Sequence, residues 1–119
     1  MARTTYCGLK TISDSASGSD VINLDGDDCV YVEVPSGSSI TELTVYANVR
    51  PPGSEVFAPL YDGTGQGSGG NGAPAAVVQT VAAGNVYQLV SNVNGVAQIK
   101  LVGDAAGEVW VSVKRMSQS

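Results

Sequence analysis

The acidic run Asp25-Gly26-Asp27-Asp28 is the densest group of potential metal ligands in the sequence. Hard cations such as calcium bind carboxylate oxygens, so Asp25, Asp27 and Asp28 are weak candidates for an ion site. The spacing differs from that of a calcium-binding loop, and no glutamate follows where the closing ligand would stand. Aspartate and glycine are also the residues that a tight turn requires. We therefore favour a turn over a metal site, and we expect the protein to need no cofactor.

Catalytic chemistry finds little support among the side chains. The chain contains no histidine, which excludes a His-activated nucleophile and a His-ligated zinc ion. An activated hydroxyl would need Lys10, Lys100 or Lys114 as its base, and none of these lies in a recognisable motif. The 11 acidic residues form many pairs by chance, but none is singled out as the facing pair of a glycosidase. We expect the protein not to be an enzyme.

Cys7 and Cys29 are the only cysteines. Two ligands at this spacing do not close a zinc site, so we interpret both as small apolar residues in or near the core. A disulfide between them stays open in case their strands are neighbours.

The glycine-rich segment 62–74 is the other feature that invites a chemical interpretation. A phosphate-binding loop needs a Gly-Lys-Ser/Thr ending and a following helix. Here no lysine is near, and a β-type segment follows. We predict a mobile loop between strands that becomes ordered when it contacts a partner.

Alternation of apolar and polar residues dominates the remainder of the chain and predicts β-strands. The clearest cases are segments 28–34, 39–49 and 108–115, each with an apolar face of valine, leucine or alanine. The opposite faces of these three strands carry Tyr31, Tyr46 and Trp110. No segment shows a sustained helical period.

Turn and breaker residues indicate how the strands are connected. Asn94-Gly95 predicts a hairpin between strands 86–92 and 96–102, because both residues of a tight hairpin turn take positive φ. Pro59 cannot donate to a ladder, so strand 55–61 is expected at a sheet edge or at a bulge. Further strand candidates are the segments 5–11, 21–24 and 75–81.

About eight or nine short strands at even spacing predict an all-β fold. Within that class we favour a jelly-roll-like, two-sheet antiparallel β-sandwich. The length of 119 residues fits one domain. Residues 1–6 are expected to form an extended N-terminal arm ahead of it.

The charge balance limits the partners. Six basic residues against 11 acidic ones give a net charge of -5, which argues against binding to nucleic acid. The chain has no apolar run long enough to span a membrane, and its first residues do not resemble a signal peptide. We expect a soluble protein made in a cytosol.

Three regions are candidates for partner binding: one aromatic face that carries Tyr46 and Trp110, the N-terminal arm, and the glycine-rich loop from Asp62 to Gly72. Aromatic side chains opposite the apolar stripes could anchor an interface or stack on sugar rings, although core and interface are equally open for Trp110. The arm, with one cation and several hydroxyls, could pair with the sheet edge of another chain. The candidate contact residues are Arg3, Thr4, Thr5, Tyr6, Tyr46, Arg50, Tyr61, Asp62 and Trp110.

The organisation of the chain resembles that of small tailed-bacteriophage proteins that decorate or cement a capsid. The resemblance rests on the short N-terminus leading into Thr4-Thr5-Tyr6, on the predicted hairpins of the C-terminal half, on the run from Phe57 to Gly65, and on the final strand from Gly107 to Val113. It implies a β-sandwich on the outer surface of the virion that binds the major capsid protein, often as a homotrimer. Such a protein would be made in the host cytoplasm.

A carbohydrate-binding or adhesin-type module of a fibre or tail is the alternative. In that case the aromatic residues, assisted by calcium at Asp25–Asp28, would form a shallow sugar site.

Overall fold

The computed structural model describes residues 4–24, 28–62, 75–89 and 96–115. These residues contain β-strands and one short 3-10 turn at Ala16–Gly18, and no α-helix. In chain order the strands are β1 (Thr4–Ile12), β2 (Val21–Asn23), β3 (Asp28–Glu33), β4 (Glu42–Asn48), β5 (Ala58–Pro59), β6 (Tyr61–Asp62), β7 (Ala75–Ala76), β8 (Val78–Thr80), β9 (Val86–Gln88), β10 (Gln98–Gly103) and β11 (Gly107–Arg115). Among the described residues, no helix is long and apolar enough to cross a membrane.

The strands form two main antiparallel sheets that pack face to face. A four-stranded sheet has the order β1-β11-β3-β9, and a five-stranded sheet has the order β2-β10-β4-β5 with β8 also paired to β4. Strands β6 and β7 form a separate small ribbon. The chain passes from one sheet to the other between most successive strands, and its first and last strands are neighbours. This is a jelly-roll arrangement, so the predicted all-β sandwich is confirmed.

The hairpin predicted around Asn94-Gly95 is wrong. Strand β9 pairs with β3 in the four-stranded sheet, whereas β10 lies between β2 and β4 in the other sheet. Asn94 and Gly95 themselves lie outside the described residues. Alternation reports which face of a strand is buried, and it does not report which strand lies beside it.

The core lies between the two sheets and is built almost entirely from aliphatic side chains. Valines of β3 and β11 alternate inward as predicted, with Val30, Val32, Val109, Val111 and Val113 all buried. Leucine and isoleucine from β4 and β10 face them from the other sheet and are almost completely buried; they are Leu43, Ile99 and Leu101.

Strand β4 departs from the predicted alternation at its end. Leu43 and Val45 are buried as expected, but Val49 is exposed and Asn48 is buried instead. The Asn48 side chain makes this possible because its Oδ1 accepts from the N–H groups of Arg50 at 3.0 Å and Val56 at 3.1 Å. Its Nδ2 donates to the carbonyl of Arg50 at 3.1 Å. A buried amide with this many partners costs little, so it can end the strand.

The predicted strand 55–61 is reduced to two short pieces, β5 and β6. Strand β5 pairs with β4 at one edge of the five-stranded sheet, with Pro59 opposite Tyr46. The expectation that Pro59 lies at an edge is confirmed, which agrees with its lack of an N–H group to donate to a sheet. The glycine-rich loop predicted at 62–74 lies outside the described residues except for Asp62, which ends β6.

Two expectations about the N-terminal strand are wrong. Thr4, Thr5 and Tyr6 do not belong to an arm, because they pair with β11 as the first residues of β1. Cys7, expected in or near the core, is exposed.

The strand order also settles the cysteine pairing. Strand β11 separates Cys7 on β1 from Cys29 on β3. Two strand spacings are about 9.6 Å, whereas disulfide-linked Cα atoms lie at most about 6.8 Å apart. An intramolecular disulfide is therefore excluded.

Asp104, in the connection between β10 and β11, binds the start of β4. Its Oδ1 accepts from the N–H groups of Thr41 at 2.9 Å and Glu42 at 3.2 Å, and its Oδ2 accepts from the Thr41 hydroxyl. The hydrogen bond from the Thr41 side chain, followed by the one from the Thr41 backbone, lowers the pKa of the Asp104 carboxyl. The carboxylate form therefore stabilises the fold.

We expect Asp104→Asn to lower the melting temperature at neutral pH, and the difference from the wild-type protein to shrink on acidification. A carboxyl whose pKa is lower in the folded state stabilises above its unfolded pKa of about 4 and loses that contribution as pH falls through the folded value. Melting curves between pH 7 and pH 2 test this. A difference that stays constant across that range would contradict the assignment.

Candidate interaction surface

The outward face of the four-stranded sheet collects side chains from all four of its strands. Val109 and Val111 point into the core, so Trp110 between them must point outward. The register then places one outward residue from each strand in a single row. In order across the sheet, the row is Leu9, Trp110, Glu33 and Val86.

A second row lies one step along the strands. In the same order across the sheet it contains Cys7, Ser112, Tyr31 and Gln88. The Cys7 Sγ is 3.7 Å from the Ser112 Oγ. Alternation on each strand therefore produces a surface that is two residues deep and four strands wide.

Large apolar side chains on this face remain accessible to solvent. The exposed fractions are 64% for Val86, 49% for Trp110, 43% for Leu9 and 38% for Tyr31. We call Cys7, Leu9, Tyr31, Val86 and Trp110 the outer patch. Because large apolar side chains on a protein surface are usually scattered singly, their collection on one sheet face makes the outer patch a candidate interaction site.

A shallow cavity of about 280 Å³ lies within the outer patch. Its lining is Cys7, Tyr31, Glu33, Val86, Trp110, Val111 and Ser112. Glu33 is the one carboxylate in that lining, and no group of three metal-ligating side chains occurs among the described residues. The arrangement can hold a planar or apolar group and offer it a hydrogen-bond acceptor.

The structure separates the two aromatic residues that were expected to share a face. Trp110 lies in the outer patch, but Tyr46 lies on β4 in the other sheet, where it pairs with Lys100 and Pro59. Both residues stand opposite a core-facing stripe, but the outward faces of a two-layer sandwich point in opposite directions. The predicted common face of Tyr46 and Trp110 is therefore wrong. Trp110, for which both a core and an interface position were open, lies at the surface.

Other predicted contact residues lie away from the outer patch. Arg50 is exposed just beyond the end of β4 and lines a separate cavity with Asn23 and Gln98. Tyr61 is exposed on β6, and Asp62 is the last residue of that strand.

For the remaining candidates the structure describes either the strand position alone or nothing. Thr4, Thr5 and Tyr6 lie on the same strand as Leu9, and Asp28 is the first residue of β3. Arg3, Asp25 and Asp27 lie outside the described residues, so the structure does not test the acidic run as a turn.

Leu9 and Val86 belong to the outer patch but were not predicted as contacts. In β1 the polar Lys10 next to the apolar Leu9 suggests that Leu9 faces inward. In the structure Ile12 is buried, and Lys10 lies on the same face of the strand as Ile12, so Leu9 lies on the opposite, outward face. Leu9 and Ile12 are aliphatic residues of equal size at opposite parity, so the sequence of this segment alone does not decide which of them faces inward. Val86 begins a strand too short for alternation to assign its face.

No protein-family model and no curated protein matches this chain. A solved structure of the SPBc2 prophage-derived protein YomS is similar over 96% of this chain and 94% of that chain, with a TM-score of 0.54 and 10% identity. A chain from Bacillus endospore appendages, described as a novel family of disulfide-linked pili, matches with a TM-score of 0.44 and 16% identity over 98% of this chain and 88% of that chain. The likeness to YomS shows a shared fold.

Fluorescence tests the exposure of Trp110, the single tryptophan in the chain. We expect native emission that acrylamide quenches readily and that moves only slightly to the red on unfolding, because the indole already contacts water. Blue-shifted emission that resists quenching in a monomeric sample would contradict an exposed outer patch.

Proposed function

We propose that this protein is a structural virion component that binds the outer surface of a phage capsid through the outer patch and stabilises the particle. The observation that carries this proposal is the exposed row of Leu9, Trp110 and Val86 on a sheet whose other face is the core. Its partner is the major capsid protein. It reaches the virion from the host cytoplasm.

The outer patch is built as a rigid contact surface. Strand β11 is bonded on both sides, to β1 over nine residues and to β3 over six, so Trp110 is held on a fixed backbone. A large aromatic side chain that loses little conformational freedom on binding is the usual centre of an interface. Among the described residues no other part of the surface brings four large apolar side chains together.

Charge and origin agree with an outer location. A net charge of -5 repels packaged DNA and disfavours an inner, DNA-facing position. The protein of similar fold is prophage-derived, which is consistent with the phage source that the sequence resemblance implies.

A repeating shell would strengthen contacts that are weak one at a time. Many copies bound to a lattice gain effective concentration, so a small apolar patch suffices at each site. The homotrimer expected from the resemblance stays a prediction, and light scattering with size exclusion tests it through a mass of three times that of the chain. Binding through the outer patch does not depend on the number of copies.

Co-sedimentation with purified capsids tests the proposal. We expect Trp110→Ala to weaken capsid binding by about thirtyfold or more, because an interface centre contributes at least about 2 kcal/mol. Tyr61→Ala is the matched control, since Tyr61 is an exposed aromatic residue outside the outer patch, and it should bind within about twofold of wild type.

The melting curve of free Trp110→Ala protein, followed by circular dichroism, separates loss of contact from loss of fold. Bound wild-type protein should show blue-shifted Trp110 emission and raise the melting temperature of the capsid. Equal capsid binding by the Trp110→Ala and wild-type proteins would overturn the role of the outer patch. Absence of binding to the capsids of its own phage would overturn the function.

A carbohydrate-binding module of a fibre or tail is the second candidate, and the cavity favours it. Trp110 and Tyr31 line one depression together with Glu33, and aromatic rings beside a carboxylate are a common way to hold a sugar. Asp28, the described residue of the acidic run, does not line this cavity.

A glycan array distinguishes the two candidates. A sugar module should show saturable binding that Trp110→Ala and Tyr31→Ala each reduce and that Tyr46→Ala leaves unchanged. Loss of that binding on chelation would assign a role to the Asp25–Asp28 run. A silent array, together with capsid binding, would eliminate the module.

A further inference from the structure

Strand β1 is by far the longest edge strand of the sandwich. It has nine residues, whereas β9 and β2, at edges of the two sheets, have three each and β5 has two. Among the described residues, β11 is the one strand that pairs with β1. Soluble proteins keep edge strands short or covered, because an open edge offers unpaired N–H and C=O groups to another chain.

The C-terminal end of this edge is covered. The N–H of Thr11 donates to the Asp20 carboxylate at 2.9 Å, and the carbonyl of Thr11 accepts from the Asp20 N–H at 2.9 Å. Ser13 donates to the Ser19 hydroxyl at 2.9 Å. The opposite edge of the four-stranded sheet, formed by β9, is also partly covered, because the carbonyl of Gln88 accepts a hydrogen bond from the Gln79 side-chain amide at 3.0 Å.

The N-terminal half of β1 has no such cover within the described part of the chain. In an antiparallel strand, alternate residues direct both backbone groups to the same side. Since Thr11 directs its groups away from β11, the same parity applies to Leu9, Cys7 and Thr5. These residues present their N–H and C=O groups to the open edge.

We propose that this edge pairs with the same edge of a second copy of the protein, in antiparallel orientation about a two-fold axis at Cys7. The axis places Thr5 opposite Leu9 of the other copy and Cys7 opposite Cys7, so every open donor meets an open acceptor. A two-fold axis at Leu9 would instead place Cys7 opposite Thr11 of the other copy. The backbone N–H and C=O of Thr11 are already hydrogen-bonded to Asp20, so that register is blocked. The edge is therefore complementary to itself with the axis at Cys7.

Composition favours a second copy as the occupant. The chain carries a net charge of -5, yet the stretch Thr4-Thr5-Tyr6-Cys7-Gly8-Leu9 contains no charged residue. The stretch therefore adds no negative charge of its own to a contact between two acidic molecules. Threonine and tyrosine also suit a strand. Pairing would extend the four-stranded sheet across the axis and bring two outer patches side by side on one face.

The contact is small, so covalent trapping is the appropriate readout. A pairing of a few residues buries less than the roughly 1,200 Å² of a stable interface. At a hydrogen-bonded antiparallel pair the Cα atoms are about 5.5 Å apart, which lies within the range of a disulfide. The exposed Cys7 therefore reports the proposed axis directly.

The experiment treats reduced protein with diamide and measures the linked dimer on a non-reducing gel. All variants carry Cys29→Ser, so that a single thiol remains. We expect the variant that retains Cys7 to form at least about tenfold more linked dimer than the Cys7→Ser, Thr5→Cys variant, because two Thr5 positions lie roughly 13 Å apart in this register.

Mixing tests the register independently. Cys7→Ser, Thr5→Cys protein and Cys7→Ser, Leu9→Cys protein should each link poorly alone and link efficiently when combined. Thr5→Pro in the Cys7 protein removes one outward N–H without touching the bonds to β11, and it should reduce linking at an unchanged melting temperature.

Three results would overturn the proposal. The first is equal linking at Thr5 and Cys7, which indicates random collision. The second is no gain on mixing. The third is a trimer as the associated species in light scattering, which would favour the homotrimer expected from the resemblance over two-fold edge pairing. None of these outcomes bears on capsid binding by the outer patch, which the Trp110→Ala variant tests by itself.

Discussion

The position of β11 between β1 and β3 is the constraint on which the rest of the molecule depends. This last strand joins the first strand to the third and completes the four-stranded sheet. Its inward valines, Val109, Val111 and Val113, are buried against the other sheet, and burial of each side chain of this size contributes about 1.5–3 kcal/mol. Because side chains alternate along a strand, the same sequence that builds the core must send Trp110 outward.

Pairing register then turns single exposed residues into a surface. Leu9, Trp110 and Val86 come from strands far apart in the chain, and they form a row because β1, β11, β3 and β9 align as they do. A slip of one residue in β1 would bury Leu9 and expose Ile12. Asp20 and Ser19 bind the backbone where β1 ends, which holds that register and leaves only the first half of the edge open.

Face and edge of the same sheet therefore offer two different kinds of contact. The outer patch provides apolar area with an aromatic centre, while the edge of β1 provides directional backbone hydrogen bonds. Each is modest by itself. On a repeating surface, a molecule that binds the lattice with its face and a neighbouring copy with its edge would gain from effective concentration at both contacts. That combination would suit the proposed assembly on a capsid.

Composition and alternation alone determined the fold class, the inward faces of β3 and β11, the edge position of Pro59 and the outward side of Tyr31. These follow from local chemistry, since alternation and a missing N–H act within one strand. The tertiary structure decided what local chemistry does not encode: that β9 and β10 lie in different sheets, that Tyr46 and Trp110 face opposite ways, that Thr4–Tyr6 belong to a strand, and that Cys7 and Cys29 are kept apart. The physical reason is that apolar burial specifies which face of a strand points inward, whereas the neighbours of a strand are specified by how all the strands together fill one core.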